Sequence, residues 1–192
     1  MDTIQIIEIV AAVIGILYVL LEIKASIWLW PVGVILPFFY IYISFVGEMY
    51  GNIFVNIYYL IAAIWGWWLW HHRRNEAPQE DKIAFAPRHI ILYLLGIAIP
   101  GIAILTPVFK HYTDSPYPFW DVTATVIAFV GMWLLAKKYM ENWYCWFVSN
   151  AIFCILFLLQ GFYITCGFFV IYTVMALVGF FNWRRLMLAT ER

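Results

Sequence analysis

Seven apolar stretches, each close to the length that carries an α-helix across a bilayer, limit this chain to a bundle of membrane-spanning helices. A hydrocarbon core of roughly 30 Å takes about 20 residues of helix at about 1.5 Å per residue. On that ruler the spans fall at residues 4–23, 27–46, 51–70, 88–109, 119–138, 142–160 and 163–183. The mean hydropathy of +0.87 and the 66% of apolar residues place the chain far from soluble domains. A net charge of zero leaves no basic patch for nucleic acid. Asp2 precedes the first span without a basic leader region, so that span reads as a retained helix rather than a cleaved signal peptide.

Two connections divide the spans. His71 to Pro87 holds Arg73, Arg74, Asn75, Glu76, Gln79, Glu80, Asp81 and Lys82 and reads as a solvated loop; Lys110 to Pro118 contains Asp114, Pro116 and Pro118. The grouping is three spans, one span, three spans. Expected boundaries are a first three-helix repeat at 1–72, a loop at 73–87, a linker helix and outer loop at 88–117, and a second three-helix repeat with a short tail at 118–192. A constant offset of 113 aligns the two triplets without a gap: Glu8 with Asp121, Lys24 with Lys137, Trp30 with Trp143, Tyr50 with Tyr163, Tyr59 with Tyr172, Ala63 with Ala176, Gly66 with Gly179, and Trp70 with Trp183. Matched Trp, Tyr, Gly and charge at one offset indicate an internal repeat. A single linker helix lets two odd-numbered triplets point the same way, so the repeats are expected to be parallel, with a substrate site between them near the midplane.

Orientation follows from the basic residues. Lys24, Arg73, Arg74, Lys82, Arg88, Lys137, Lys138, Arg184, Arg185 and Arg192 fall on one side of the spans, and Lys110 alone on the other. By the positive-inside rule the C-terminus is expected in the cytoplasm and the N-terminus outside.

The chemistry concentrates in Trp143-Tyr144-Cys145-Trp146-Phe147-Val148-Ser149-Asn150, where two indoles and a carboxamide share one helix face at i, i+3 and i+7. An amide inside an apolar span is costly unless it meets protein or a water-filled cavity, so this face reads as a ligand pocket of rings and neutral amides. Such a pocket suits an aromatic or cationic small molecule, because a ring face attracts a cation by roughly 0.5–2 kcal/mol. At the repeat positions of Trp146 and Asn150 stand Gly33 and Pro37, so the site is expected to be asymmetric. Asn56, one turn before Tyr59 on the third span, is the first-half candidate for a polar contact, with an interhelical hydrogen bond as its other reading. Trp28 and Trp30, followed by Pro31, read as an interfacial belt and a helix start.

Other classes find little support. Glu8 and Asp121 begin matching helices, where the helix dipole favours a carboxylate by roughly 0.3–1 kcal/mol; Glu22 and Glu48 also sit near span ends. Lys24 and Lys137 are placed to snorkel. His71, His72, His89 and His111 lie in loops or at span ends, without a metal-ligand pair in any span, and no metal or other cofactor is expected. Ser149 has no intramembrane His to activate it, there is no Gly-x-Ser-x-Gly, and the seventh span has no Lys for a Schiff base. An enzyme and a retinal protein are therefore disfavoured. Cys145, Cys154 and Cys166 are read as buried thiols without a disulfide. With mainly Asn52, Asn56, Ser149, Asn150, Gln160, Thr173 and Asn182 inside the spans, uncoupled downhill movement is the simplest transport expectation.

These residues resemble the bacterial nicotinamide riboside transporters, the PnuC family of vitamin transporters. Pro118-Phe119-Trp120-Asp121, Lys138-Tyr139-Met140-Glu141-Asn142-Trp143, the Trp143-x-x-Trp146-x-x-x-Asn150 element, Gln160-Gly161 and Tyr163 carry the likeness, with Gly66-Trp67 and Trp70 in the first half. The resemblance covers nearly the whole chain. It implies a bundle like that of full-length SWEET sugar transporters, two three-helix units joined by a linker helix. It also implies facilitated diffusion, trapping of the vitamin by a cytoplasmic kinase, and a homotrimer. Trp143, Trp146 and Asn150 would contact substrate.

The expected protein is thus an all-α, seven-helix carrier of the inner membrane, with the lipid bilayer and a small-molecule vitamin as its partners. Trp143, Trp146, Asn150, Asn56 and Tyr59 are its expected substrate-binding residues. Nicotinamide riboside is the first substrate expected. Thiamine is the alternative, because Glu22-Ile23-Lys24-Ala25-Ser26-Ile27-Trp28-Leu29-Trp30-Pro31 resembles family members assigned to thiamine, and other relatives move riboflavin. A membrane receptor that binds without transporting is the rival class.

Overall fold

A computed structural model describes residues 3–46, 50–76, 81–113 and 115–190. Gln79, Glu80, Glu48, Asp114 and Arg192 lie outside the described residues, as do the side chains of Glu8, Tyr50 and Asn52. The described residues form seven α-helices: α1 (Thr3–Ile23), α2 (Leu29–Val46), α3 (Tyr50–Glu76), α4 (Arg88–Tyr112), α5 (Pro118–Ala136), α6 (Asn142–Leu159) and α7 (Tyr163–Thr190). Among the described residues, helices α3 to α7 hold stretches long and apolar enough to cross a membrane, and α1 and α2 hold the apolar stretches Val13–Ile23 and Leu29–Tyr42. No strand is present among the described residues. The all-helical membrane reading of the sequence holds.

The helix ends follow local chemistry. Pro118 opens α5, where its missing N–H costs nothing, and Pro31 stands in the first turn of α2. Helix α3 does not stop at the membrane edge but runs on to Glu76, so the first part of the expected loop is helical. There His72 meets Glu76 at 3.2 Å and Asn75 meets His71 at 3.0 Å, both one turn apart, and Arg73 and Arg74 sit at the negative helix end.

The chain divides into two units, Met1–Lys82 and Ile83–Arg192. In the first, α2 packs on both α1 and α3; in the second, α6 packs on both α5 and α7, and α4 packs along α5. No residue of α4 is buried.

Internal geometry recurs at the 113-residue offset. Trp30 meets Trp70 edge-on, with ring centroids 5.4 Å apart and planes at 85°; Trp143 meets Trp183 at 5.6 Å and 86°. A Cβ on Gly66 would lie 2.2 Å from Cη2 of Trp30, and a Cβ on Gly179 would lie 2.2 Å from Cη2 of Trp143. Glycine here permits a helix–helix approach that any side chain would block. Helices α1 and α5 end alike, with a residue in the left-handed region: Ala25 at φ 48° and Lys138 at φ 58°. Each closes a Schellman turn. Ala25 N–H bonds Glu22 O at 2.9 Å and Ser26 N–H bonds Leu21 O at 3.0 Å, while Lys138 N–H bonds Leu135 O and Tyr139 N–H bonds Leu134 O, both at 2.9 Å. Trp30 is consequently a buried packing residue rather than part of an interfacial belt, and Trp28 alone of that pair stays exposed, at 68%.

Candidate functional site

The start of α6 is held from two directions. The Schellman turn at Lys138 reverses the chain after α5, and residues 84–86 run alongside 138–140. Ala84 N–H donates to Lys138 O at 3.2 Å and Met140 N–H to Ala84 O at 2.9 Å. Both carboxylate oxygens of Glu141 accept the Ala86 N–H, at 3.1 and 2.9 Å. Asn142, fully buried, donates from its amide to Tyr139 O at 2.6 Å. The first turn of α6 is therefore anchored, and the face carrying Trp143, Trp146 and Asn150 has a defined direction.

These three residues differ in what they are free to do. Trp143 is 2% exposed, with one ring edge on Gly179 and the other contact taken by Trp183. Its ring packs α6 against α7, and its Nε1–H, like that of Trp146, is buried without a hydrogen-bond partner among the described residues. Trp146 is half-buried and its indole touches Gly131 of α5: a Cβ there would stand 3.6 Å from the ring and 2.9 Å from the Cβ of Cys145. The Trp146 Nε1–H is buried without a hydrogen-bond partner among the described residues. Asn150, half-buried one turn further along α6, makes no side-chain hydrogen bond to a described residue. Beside it Ser149 is buried and turned onto its own helix, with Oγ 3.4 Å from Trp146 O. A ring and an amide thus stand ready for polar and stacking contacts on α6, while Trp143 braces them.

In the first unit, Asn56 of α3 is buried and Tyr59 is half-buried, with its ring edge-on to Tyr58 at 5.8 Å; both take part in polar or ring contacts. Tyr18 of α1 is within electrostatic range of Tyr59 and of Glu22, and a Cβ on Gly33 of α2 would meet the Tyr18 ring at 2.8 Å. Glu22 itself is 2% exposed. The expectation that Glu22 sits near a span end holds, since α1 ends at Ile23; the sequence did not single out Tyr18. At the 113-residue offset Tyr18 and Gly33 pair with Gly131 and Trp146.

The second unit also holds a cavity of about 270 Å³ between α4, α5 and α6, walled by residues such as Ile91, Leu95, Ile127 and Val130 and reaching Glu141 and Tyr144. It opens on another face of α6, and Trp146 and Asn150 do not line it. Among the described residues no three His, Cys, Asp or Glu side chains come together as metal ligands. Asp121 of α5 accepts a hydrogen bond from Ser115, which adds to the dipole argument for its place in the first turn.

Comparison with known proteins joins these observations. A profile of the family described as Nicotinamide mononucleotide transporter matches residues 5–185. The nicotinamide riboside transporter PnuC of Escherichia coli is 28% identical over 165 residues, covering 73% of this chain and 69% of the relative. The riboflavin/roseoflavin transporter RibM of Streptomyces davaonensis is 22% identical over 181 residues, covering 92% and 83%. A crystal structure of the vitamin B3 transporter PnuC has the same fold, with a TM-score of 0.73 at 24% identity over 93% of this chain and 80% of that one.

Proposed function

Because the chain belongs to the nicotinamide mononucleotide transporter family, a family of membrane transporters, we propose that it carries a vitamin, nicotinamide riboside, into the cell. The observation that carries this reading is the α6 face, where Trp146 offers a buried indole N–H and Asn150 a carboxamide, neither bonded to a described residue. A pyridinium ring stacks on an indole, and its carboxamide and ribose hydroxyls match an amide partner. Asn56 and Tyr59 are the first unit's proposed contributors. Trp143 acts through Trp146 and Asn150 by fixing α6 on α7. Thiamine is the second reading, favoured by the run Glu22 to Pro31, and it is an aromatic cation as well.

Movement is downhill in this proposal, with a cytoplasmic kinase trapping the product. Support comes from the second unit, where the polar side chains within the α6 and α7 spans, among them Ser149, Asn150, Thr173 and Asn182, are neutral amides and hydroxyls. The proposed orientation, N-terminus outside and C-terminus cytoplasmic in the inner membrane, rests on the ten-to-one distribution of Lys and Arg. The proposed domain order is a triplet, a linker helix and a second triplet, assembled as a homotrimer. Proteoliposome uptake of labelled nicotinamide riboside tests the central claim: saturable uptake that stops at equilibrium supports it. Accumulation of unphosphorylated substrate under a proton or sodium gradient would overturn the uncoupled mechanism, and binding without flux would make the protein a receptor.

A further inference from the structure

Helix α4 is long and apolar enough to span the membrane and has no buried residue, yet one of its faces borders open space within the second unit. Ile91, Leu95 and Ala98, at i, i+4 and i+7, form the α4 wall of the cavity of about 270 Å³. Ile127, Val130 and Leu134 form the α5 wall, and the first turn of α6 adds Glu141 and Tyr144. Both carboxylate oxygens of Glu141 already accept the Ala86 N–H, and the wall exposes apolar atoms alone. A pocket for a polar small molecule measures roughly 300–1,000 Å³ and carries a few convergent polar groups. This groove is smaller and aliphatic.

The same stripe of α4 ends in a charge. Arg88 stands three residues before Ile91, one helical turn out along the face that lines the cavity. It is exposed, and its guanidinium meets no carboxylate or other partner among the described residues. The sequence around it brings more positive charge: His89 follows Arg88, and α5 runs out in Lys137 and Lys138. Glu141, the carboxylate of the cavity wall, is held by Ala86. An aliphatic groove within a span, with an unpaired cation one turn beyond it, is complementary to a phospholipid, whose methylene chain and anionic phosphate are covalently joined. A second protein chain would have to bring both a carboxylate and a fitting ridge, whereas lipid is already the solvent of α4.

We propose that the groove between α4, α5 and α6 binds an anionic phospholipid, with one acyl chain along Ile91, Leu95 and Ala98 and the phosphate paired with Arg88. A net negative headgroup is favoured over a zwitterionic one, because Glu141 is engaged and leaves no free carboxylate in the cavity wall for a choline or ethanolamine cation. The site is separate from the face of Trp146 and Asn150 and holds whichever vitamin is carried. Within the second unit α4 packs along α5. A lipid chain in the groove extends that packing across the cavity to α6.

The test is native mass spectrometry of the purified full chain, delipidated and then given equal amounts of phosphatidylglycerol and phosphatidylcholine with the same acyl chains. The wild type is expected to keep one lipid per chain under activation that strips the rest, and to prefer phosphatidylglycerol by about fivefold, the order of one cation at a membrane surface. Arg88→Gln is expected to bring that ratio close to one, and Arg88→Lys to keep it. Ala98→Phe fills the groove from a helix without buried residues and is expected to lower retention of both lipids. Ile91→Trp is the second filling variant. Wild-type protein that retains no lipid, or retains the two equally, overturns the proposal. So does a preference that survives Arg88→Gln, or a folded filling variant that retains lipid like the wild type. Filling variants that alter the oligomeric state and not lipid retention would give the groove to a second copy of this chain, which overturns it too. If neither filling variant folds, Arg88→Gln, at an exposed position, decides alone.

Discussion

Trp143 rests on Gly179 so closely that a methyl group on the glycine would stand 2.2 Å from the indole Cη2 atom, and Trp30 rests on Gly66 in the same way. Without a hydrophobic force between helices in lipid, this close packing is a main source of their association. Gly179→Ala and Gly66→Ala are each expected to destabilise by about 1–3 kcal/mol through overpacking. Thermal melting in detergent reads the loss. A variant that melts with the wild type would mean that the ring moves aside freely.

Trp143 and Trp146 are expected to separate two properties. Trp143→Ala removes a ring packed on Gly179 and Trp183, and truncation of a buried aromatic costs about 3–5 kcal/mol. Stability should fall first, and affinity with it. Trp146→Ala and Asn150→Leu should lower the melting temperature less than Trp143→Ala does and weaken vitamin binding by about tenfold or more, the loss of a stacking or hydrogen-bond contact. Equal affinity in both variants would move Trp146 and Asn150 into the packing of α6.

How far the sequence could be read is clear from these same residues. The helices were legible because lipid demands long apolar runs, and the 113-residue offset was legible because Trp and Gly matches are rare by chance. Trp30 was not, since an indole at a helix start looks the same whether it faces headgroups or, as here, Gly66. The candidate site was read in part. The spacing put Trp143, Trp146 and Asn150 on one face but did not show that the Trp143 ring packs edge-on to Trp183. The burial of Glu22 was not legible, because distance from a span end says nothing about burial.

Ala25 holds φ 48°, a conformation that costs an alanine roughly 1–2 kcal/mol and a glycine little. Ala25→Gly keeps the Schellman hydrogen bonds and removes that strain, at some cost in unfolded-chain entropy. A net gain of about 0.5–1 kcal/mol is expected, seen as a higher melting temperature. Ala25→Val, with a β-branched side chain at the same φ, should lower it.

Glu141 ties residues 84–86 to the turn before α6 by accepting the Ala86 N–H with both oxygens. A hydrogen bond to a charged group contributes about 1.5–3 kcal/mol, which converts to roughly a tenfold to hundredfold change in local opening. Glu141→Ala should therefore speed amide exchange at Ala84 and Ala86 by that order, while exchange in the middle of α7 stays as it is. Unchanged protection at Ala86 would show that the backbone bonds to Lys138 and Met140 suffice alone.

Cys154 of α6 and Cys166 of α7 bring their sulfur atoms within 3.3 Å as free thiols, so mild oxidation should join them. The product loses two hydrogens in mass, and either single Cys→Ser variant should lack it. Around this pair, Phe153 and Phe157 of α6 pack on Phe169 of α7 at centroid distances of 5.3 and 5.2 Å, and further along Trp143 sits on Gly179. Helices held along their length in this way are expected to move as one body. Cross-linked protein in proteoliposomes should then take up substrate at the reduced protein's rate. A drop in uptake reversed by a thiol reductant would show that α6 slides along α7 during transport.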